Sequence, residues 1–358
     1  MQQEDVLQNR ASQKHPFLAW LILAVGVALS CTAYFVVDWH QESEARRDFE
    51  RYSGSHAASI DHELIRHLDA SVYLDGLFAA FPTVGREGFH AFALRILGQH
   101  DDIEALMWVP RVKADEVLSV ERLAAAEGFK NFKIHDEPGS KTRDTTQASE
   151  NIYFPTLYVE PLGGNEDFLG VNLASDPEYN ALLKAACDTG RVAVSGPRKS
   201  AKAGDNVLLA QPVFQPGTKI DTPEERRAAL RGYVLQLFNM PDLVEEALSE
   251  SAVLGLDVII AYEKGPGNLQ RVYTHGSTSR HIREDNKPVP SLANGADDGL
   301  KFHLQLAPLG SSWSVITFPA PGFLLAYPKW SPWAAAIGVL LLALAASLCI
   351  SRLQNQRW

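Results

Sequence analysis

One stretch decides the fold of this chain: residues 151–197, with the sequence NIYFPTLYVEPLGGNEDFLGVNLASDPEYNALLKAACDTGRVAVSGP. Its first part, residues 152–159, is aromatic and β-branched, which favours a strand. A turn containing Gly163 and Gly164 follows. Residues 191–194 begin a further strand near the end of the stretch. The segment therefore predicts a strand, a Gly-rich turn, a helix and a strand.

The helix within this stretch has recognisable ends. Ser175 or Asp176 can accept hydrogen bonds as its N-cap, and Pro177 suits its first position. Gly190 suits its end, because helices commonly close with a residue in the left-handed conformation. Cys187 lies on this helix, where we expect a small buried residue rather than a reactive thiol. The other two cysteines lie in two apolar blocks, so the three offer neither a disulfide framework nor a thiolate metal site.

Further motifs lie on both sides of this stretch in a fixed order, and together they resemble the CHASE domain, an extracytoplasmic sensor of receptor kinases and cyclases. No single motif is decisive, and the ordered series over residues 85–248 carries the resemblance. It implies a long stalk helix used for dimerisation, then two stacked PAS-like lobes with the ligand site in the membrane-distal one. The motifs are IEALMWVPRV (103–112), GFKNFKIHD (128–136), YFPTLYVEP (153–161), GVNLASDPEYNALLKAACDTG (170–190), VAVSGP (192–197), LLAQPVF (208–214) and RGYVLQLFNMPDLVEEAL (231–248).

Two uncharged apolar blocks suit membrane crossings. Residues 17–37 and residues 333–350 have lengths close to that of one bilayer span. A signal peptide is the alternative for the first block. That block is longer than a usual signal-peptide core, and no A-x-A cleavage site follows it directly, so we favour a retained anchor.

Basic residues flank the outer ends of both blocks and predict the topology. Arg10 and Lys14 precede the first block, while Arg352 and Arg357 follow the second. The positive-inside rule places both termini in the cytoplasm. Residues 38–329 are then extracytoplasmic, and the chain is a two-pass protein of the inner (plasma) membrane.

The predicted fold class is α+β: a long N-terminal helix followed by two PAS-like α/β lobes with antiparallel sheets, flanked by two transmembrane helices. The predicted division is a cytoplasmic N-terminus (1–16), transmembrane helix 1 (17–37), the stalk helix (38–84), a membrane-distal PAS-like lobe (85–239), a membrane-proximal PAS-like lobe (240–329), transmembrane helix 2 (330–350) and a short cytoplasmic tail (351–358).

Catalytic signatures are missing from the sequence. There is no H-E-x-x-H, G-x-S-x-G, Walker A or dinucleotide glycine motif, so we expect no enzyme activity, no cofactor and no metal. Three histidines of the long helix, His56, His62 and His67, are six and five residues apart and are expected on its surface. The pair Asp101-Asp102 and the basic patch of Arg198, Lys199 and Lys202 are expected in solvated turns or loops.

A ligand pocket is the better hypothesis, because such pockets are mostly apolar with a few placed polar groups. In the plant cytokinin receptors, which are CHASE proteins, an acidic residue just before the Tyr-x-Pro strand bonds the adenine ring. The resemblance aligns Asn151 with that residue, which argues against a cytokinin-like ligand, and aligns Ser195 with a pocket hydroxyl. The predicted walls are Met107, Trp108, Tyr153 and Leu157.

The charge and the end of the sequence bear on partners. The net charge of -10 argues against a nucleic-acid surface. Only residues 351–358 follow the second apolar block, so we expect either a fragment of a longer receptor or a sensor with a separate cytoplasmic kinase or cyclase. Two function classes stay open: a membrane-anchored sensor of a small-molecule ligand, and a structural or interaction protein that contacts an envelope partner.

Overall fold

The computed structural model describes residues 15–81, 83–100, 102–137, 152–199, 205–249, 255–276, 299–310 and 312–355. The helices are α1 (His15–Ala80), α2 (Arg86–Leu97), α3 (Val117–Ala126), α4 (Pro177–Thr189), α5 (Pro223–Ala229), α6 (Met240–Ser249), α7 (Pro321–Leu325) and α8 (Ser331–Asn355). The strands are β1 (Ile103–Pro110), β2 (Val112–Lys113), β3 (His135–Asp136), β4 (Ile152–Tyr153), β5 (Tyr158–Glu160), β6 (Val171–Asn172), β7 (Ala193–Val194), β8 (Arg198–Lys199), β9 (Asp205–Phe214), β10 (Leu230–Asn239), β11 (Leu256–Gly265), β12 (Asn268–His275), β13 (Phe302–Gln305) and β14 (Trp313–Pro319).

The chain forms two compact units. We call one the helical unit (Met1–Ser53, Leu254–Leu256 and Pro319–Trp358) and the other the sheet unit (Gly54–Val253 and Asp257–Phe318). In the sheet unit, the first sheet has the strand order β5-β1-β10-β9-β7, with β8 also paired to β9. The second sheet has the order β12-β11-β14-β13. Long helix and antiparallel sheets confirm the predicted α+β class.

The first sheet is covered on both faces. Its α1 face packs Leu106, Trp108 and Val234 against α1, α2 and α3, and the ring of Trp108 stacks on Phe78 of α1 with centroids 3.8 Å apart. Its α4 face carries Met107, Leu235 and their neighbours, which pack against α4. Because the side chains of successive strand residues point to opposite faces, Met107 and Trp108 lie on different faces of this sheet.

The second sheet shares its core with the long helix. Val258, Ile260 and Trp313 pack with Leu64 of α1 and with the buried side of α6. Leu64 is only 1% exposed and is therefore a core residue of its own chain. The boundaries proposed for the two lobes, 85–239 and 240–329, stay predictions.

The helical unit contains α8 and the first part of α1. Both helices are long and apolar enough to cross a membrane by length and composition. They pack through small residues: a Cβ at Gly26 would lie 2.2 Å from the Cβ of Ala343. Ser30 Oγ donates a 2.6 Å hydrogen bond to the carbonyl of Ala336. Small residues that let two backbones approach are typical of helix pairs in membranes.

The predicted strand over residues 152–159 is wrong in detail. The structure has two short strands there, β4 and β5, with Pro155 between them in an isolated bridge to Asn172. Proline has no N–H to donate to a ladder, which explains the break.

Two of the histidines expected on the surface are buried instead. His56 is 2% exposed and His67 is 0% exposed, while His62 is exposed as predicted. Their separation of 11 residues is close to three full helical turns, so His56 and His67 share the inner side of α1. Asp102 is also buried rather than in a solvated turn, and it hydrogen-bonds His67.

Candidate functional site

The structure divides the predicted pocket walls between two faces of the first sheet. Met107 lies on the α4 face, in one apolar cluster with Val159 and Tyr233. Trp108 and Leu157 lie on the α1 face, in the cluster that packs on the long helix. Met107 and Trp108 therefore pack in separate core clusters on opposite faces of the sheet.

Tyr153 and Ser195 are the other two predicted site residues that the structure describes. Tyr153 is half-buried and pairs with Val112 in the small sheet of β2 and β4. The Ser195 hydroxyl donates to the carbonyl of Gly196 at 2.8 Å and accepts from the backbone N–H of Leu208 at 3.0 Å. Asn151 lies outside the described residues. The ligand-binding role of all six predicted residues stays a prediction.

The N-terminus of α4 is built as the sequence predicts. Asp176 Oδ1 accepts hydrogen bonds from the N–H groups of Glu178 and Tyr179, at 2.8 and 2.9 Å. Pro177 occupies the first position, and Gly190 ends the helix with a φ of 66°. This capping leaves the second carboxylate oxygen of Asp176 available to a further partner.

That partner is Arg198 on β8. We use the name Arg198 cluster for four residues: Glu137, Asp176, Tyr179 and Arg198. Arg198 Nη1 lies 3.2 Å from Asp176 Oδ2, and Arg198 Nη2 lies 3.6 Å from Glu137 Oε1. The Arg198 Cζ atom lies 4.3 Å from the centroid of the Tyr179 ring. Arg198 is thus held by ion pairs and a cation–π contact, and the solvated loop predicted for it is wrong.

Burial sets the electrostatics of this cluster. It raises the pKa of the Glu137 carboxyl above its ordinary value, against the opposing effect of Arg198. It also raises the pKa of Tyr179 to about 12, so this phenol keeps its proton. Within the described part of the chain, the Oε2 atom of Glu137 is buried and has no hydrogen-bond partner. The nearby Asp176 carboxyl, which interacts with the Glu137 carboxyl, also raises the pKa of Glu137. A ligand that donates a hydrogen bond to Oε2 would satisfy this buried atom.

Aromatic groups lie on the same face. The rings of Phe154 and Tyr233 meet edge-to-face with centroids 5.3 Å apart. Next to them, burial raises the pKa values of both the Tyr233 hydroxyl and the Cys187 thiol. Cys187 is therefore a buried neutral thiol, as the sequence predicted.

Polar groups connect this face to the loop before residue 138. Asn172 Nδ2 donates to Asp136 Oδ1 at 3.0 Å, while Asn172 Oδ1 accepts from the N–H of Phe154. The Ser175 hydroxyl accepts from the N–H of Glu137 at 2.9 Å. These hydrogen bonds hold the backbone at Asp136 and Glu137 in place.

The arrangement presents polar groups that a small molecule could engage. Arg198 has a side chain 34% exposed, and its 3.6 Å separation from Glu137 is longer than a hydrogen bond. Its free donors could reach a carboxylate or another anionic group. Glu137 could accept from an N–H or O–H group of the same molecule. Sequence reasoning had noted Arg198 as part of a basic patch but missed Glu137 and Tyr179, which come close only through the fold.

The chain belongs to the CHASE domain family, whose model matches residues 82–273. Among curated proteins, the chain is 25% identical over 348 residues to hybrid signal transduction histidine kinase A of Dictyostelium discoideum. The alignment covers 92% of this chain and 16% of that kinase. The chain therefore spans only a small part of the length of this relative, and its match is to a sensor domain rather than to a catalytic one.

Solved structures give more distant similarities. An extracellular ligand-binding receptor from Desulfohalobium retbaense aligns with a TM-score of 0.45 at 10% identity, covering 76% of this chain and 40% of that one. The ligand-binding domain of the Pseudomonas aeruginosa amino acid chemoreceptor PctC, in complex with GABA, aligns with a TM-score of 0.41 at 12% identity, covering 75% of this chain and 99% of that one.

Proposed function

We propose that this chain is a membrane-anchored extracytoplasmic sensor that binds a small-molecule ligand on the α4 face of its first sheet. The observation that carries the proposal is the Arg198 cluster, placed within the residues that match the CHASE family. Arg198 and Glu137 are charged groups beside an apolar face, a combination typical of small-molecule sites.

The chemistry of the cluster suggests the ligand class. A guanidinium favours a planar anionic group, and an unpartnered carboxylate oxygen favours a hydrogen-bond donor. The ligand we propose therefore carries both. Asn151 and Ser195 are proposed to orient it, although the Ser195 hydroxyl would have to exchange one of its two backbone bonds to do so.

The proposed topology follows from the flanking charges. Residues 38–329 are extracytoplasmic, both termini are cytoplasmic and the membrane is the inner (plasma) membrane. Reporter fusions after Glu160 and after Trp358 should report opposite sides of the membrane. Fusions that report the same side would rule out the two-span arrangement.

Two kinds of protein partner complete the proposal. The first is a second copy, which would pack on an exposed apolar strip of α1 formed by Ile65, Val72 and Tyr73. These residues are seven and eight positions apart, so they lie on one side of the helix. The second is a cytoplasmic kinase or cyclase that receives the signal, in the same chain or in a separate one.

A thermal-shift screen of the full chain in detergent micelles tests the function. A small molecule that binds only the folded state must raise the melting temperature. We expect hits among compounds that carry an anionic group together with an N–H or O–H donor. If no compound of a broad small-molecule library raises the melting temperature, and a purified envelope protein does, the chain is an interaction protein instead.

A further inference from the structure

A second cluster of polar side chains lies in the sheet unit, away from the Arg198 cluster. Glu63 and His67 stand four residues apart on α1, so their side chains share one side of that helix. His100 and Asp102 lie three residues and one residue before the start of β1. One donor atom from each of the four residues lies within 4.8 Å of the donor atoms of the other three.

These four groups are enclosed. Glu63, His67 and Asp102 are buried and His100 is half-buried. The closest pair is His67 Nε2 and Asp102 Oδ2, at 2.7 Å. Across the residues described, Nδ1 of His100 is a buried atom that has no hydrogen-bond partner. A buried imidazole nitrogen without a partner beside two carboxylates and a second imidazole is an incomplete site, and a cation would complete it.

The surroundings of His67 suit metal binding. Its other nitrogen, Nδ1, lies 2.6 Å from the side-chain amide of Gln236, which also accepts a hydrogen bond from Ser71 Oγ. The two ends of an amide exchange roles by a flip. After that flip, His67 Nδ1–H would donate to Gln236 and leave Nε2 free to ligate an ion.

The donor set indicates which ion would bind. Two imidazole nitrogens and two carboxylate oxygens suit Zn²⁺ or a similar first-row ion, whereas Ca²⁺ and Mg²⁺ prefer oxygen alone. Ligand atoms around a tetrahedral Zn²⁺ lie about 3.4 Å apart. Donor atoms now separated by as much as 4.8 Å would therefore have to approach by up to about 1.4 Å, whereas His67 Nε2 and Asp102 Oδ2, at 2.7 Å, would have to move apart by about 0.7 Å. Glu63 is also paired with Arg66 at 2.8 Å, and the ion would compete with or share that carboxylate.

We propose that Glu63, His67, His100 and Asp102 form a binding site for a divalent transition-metal ion, with Zn²⁺ as the best match. The bound ion would tie α1 to the segment that enters β1. This proposal is independent of the ligand at the Arg198 cluster, because the two clusters share no residue.

The test uses the full chain in detergent micelles, without an affinity tag that contains histidine, after removal of metal with a chelator. Zn²⁺ is added, excess is removed by desalting, and the retained metal is measured by mass spectrometry. A competition titration with a chromophoric chelator gives the affinity. We expect one retained Zn²⁺ per chain and a higher melting temperature in the loaded protein.

The variants separate a built site from scattered histidines. His100→Ala removes one ligand and should weaken Zn²⁺ binding by at least about tenfold, since even outer-shell changes at metal sites have effects of that size. His62→Ala is the matched control, because His62 is an exposed histidine of α1 that directly precedes Glu63 and is not one of the four ligands. It should bind Zn²⁺ like the unmodified protein.

A second variant keeps the test decisive if His100→Ala fails to fold. Glu63→Gln conserves the size of the side chain and should also lower the affinity for Zn²⁺. Retention of less than one ion by the unmodified protein, or equal affinities in the His62→Ala control and in the folded ligand variants, would overturn the proposal. The cluster would then be a buried polar network centred on the His67–Asp102 hydrogen bond.

Discussion

The guanidinium group of Arg198 lies over the ring of Tyr179, 4.3 Å from its centroid, and joins strand β8 to the first turn of α4. Arg198 follows Tyr179 by 19 residues, and its strand β8 pairs with β9 in the first sheet. Asp176, which caps α4, also forms an ion pair with Arg198. A ligand that engaged Arg198 would therefore contact α4 through the residues that hold its first turn.

Neighbouring residues on α1 should separate folding from self-association. Leu64 is 1% exposed and Ile65 is 43% exposed. Leu64→Asp should unfold the sheet unit, because it buries a charge in the core shared with the second sheet. Ile65→Asp should leave the fold intact and lower the fraction of dimer measured by light scattering in micelles. If the folded Ile65→Asp variant has an unchanged dimer fraction, this side of α1 is not the dimer interface.

Buried His56 should make stability depend on pH. Burial lowers its pKa below the ordinary value of 6.5, and nearby His275 lowers it further. As pH falls below about 6.5, the unfolded state takes up a proton that the folded state resists, so the free energy of unfolding decreases. The decrease stops once pH is below the pKa of folded His56.

The His56→Leu variant isolates this effect, because His275 and its partner Glu245 are retained in both proteins. Urea unfolding at pH 7.5 and at pH 5.5 should show a smaller loss of stability in His56→Leu than in the unmodified chain. An equal loss of stability in both proteins would show that His56 does not contribute to the pH dependence.

Close packing of the two apolar helices should tolerate no methyl group at Gly26. A Cβ there would lie 2.2 Å from that of Ala343, whereas a Cβ at Gly338 would have no heavy atom within 4 Å. Overpacking of this kind costs about 1–3 kcal/mol. Gly26→Ala should therefore lower the SDS concentration at which the protein unfolds in mixed micelles. Gly338→Ala serves as the control, and equal midpoints for the two variants would contradict the observed packing.

Local chemistry explains what the sequence could predict. The ends of α4 follow from Asp176, Pro177 and Gly190, because capping depends on residues within a turn or two of each other. The apolar runs of α1 and α8 are likewise contiguous in sequence. Cys187 was expected to be buried, since it follows the apolar side of a predicted helix.

Long-range packing explains what the sequence could not predict. The alternation of side chains along a strand predicts that Met107 and Trp108 lie on opposite faces of the sheet. It does not predict which of the two faces α1 covers, and the structure shows that Trp108 packs against α1. His56 and His67 share a side because 11 residues nearly complete three turns, a relation hidden when only adjacent pairs are compared. Glu137 meets Arg198 through β3 and β8, two short strands whose positions the sequence did not specify.

The central claim is that Arg198 and its neighbours bind the ligand, and one comparison of affinities tests it most directly. Arg198→Ala is compared with Arg227→Ala, which removes an ion pair to Asp188 elsewhere on α4. Half-exposed ion pairs contribute about 0–1 kcal/mol, so both variants should melt close to the unmodified protein. A lost hydrogen bond to a charged group costs about 1.5–3 kcal/mol. Isothermal titration with the best compound from the thermal-shift screen should show binding roughly 10- to 100-fold weaker in Arg198→Ala and unchanged in Arg227→Ala. Equal affinities in the two variants would contradict the account and place the ligand elsewhere.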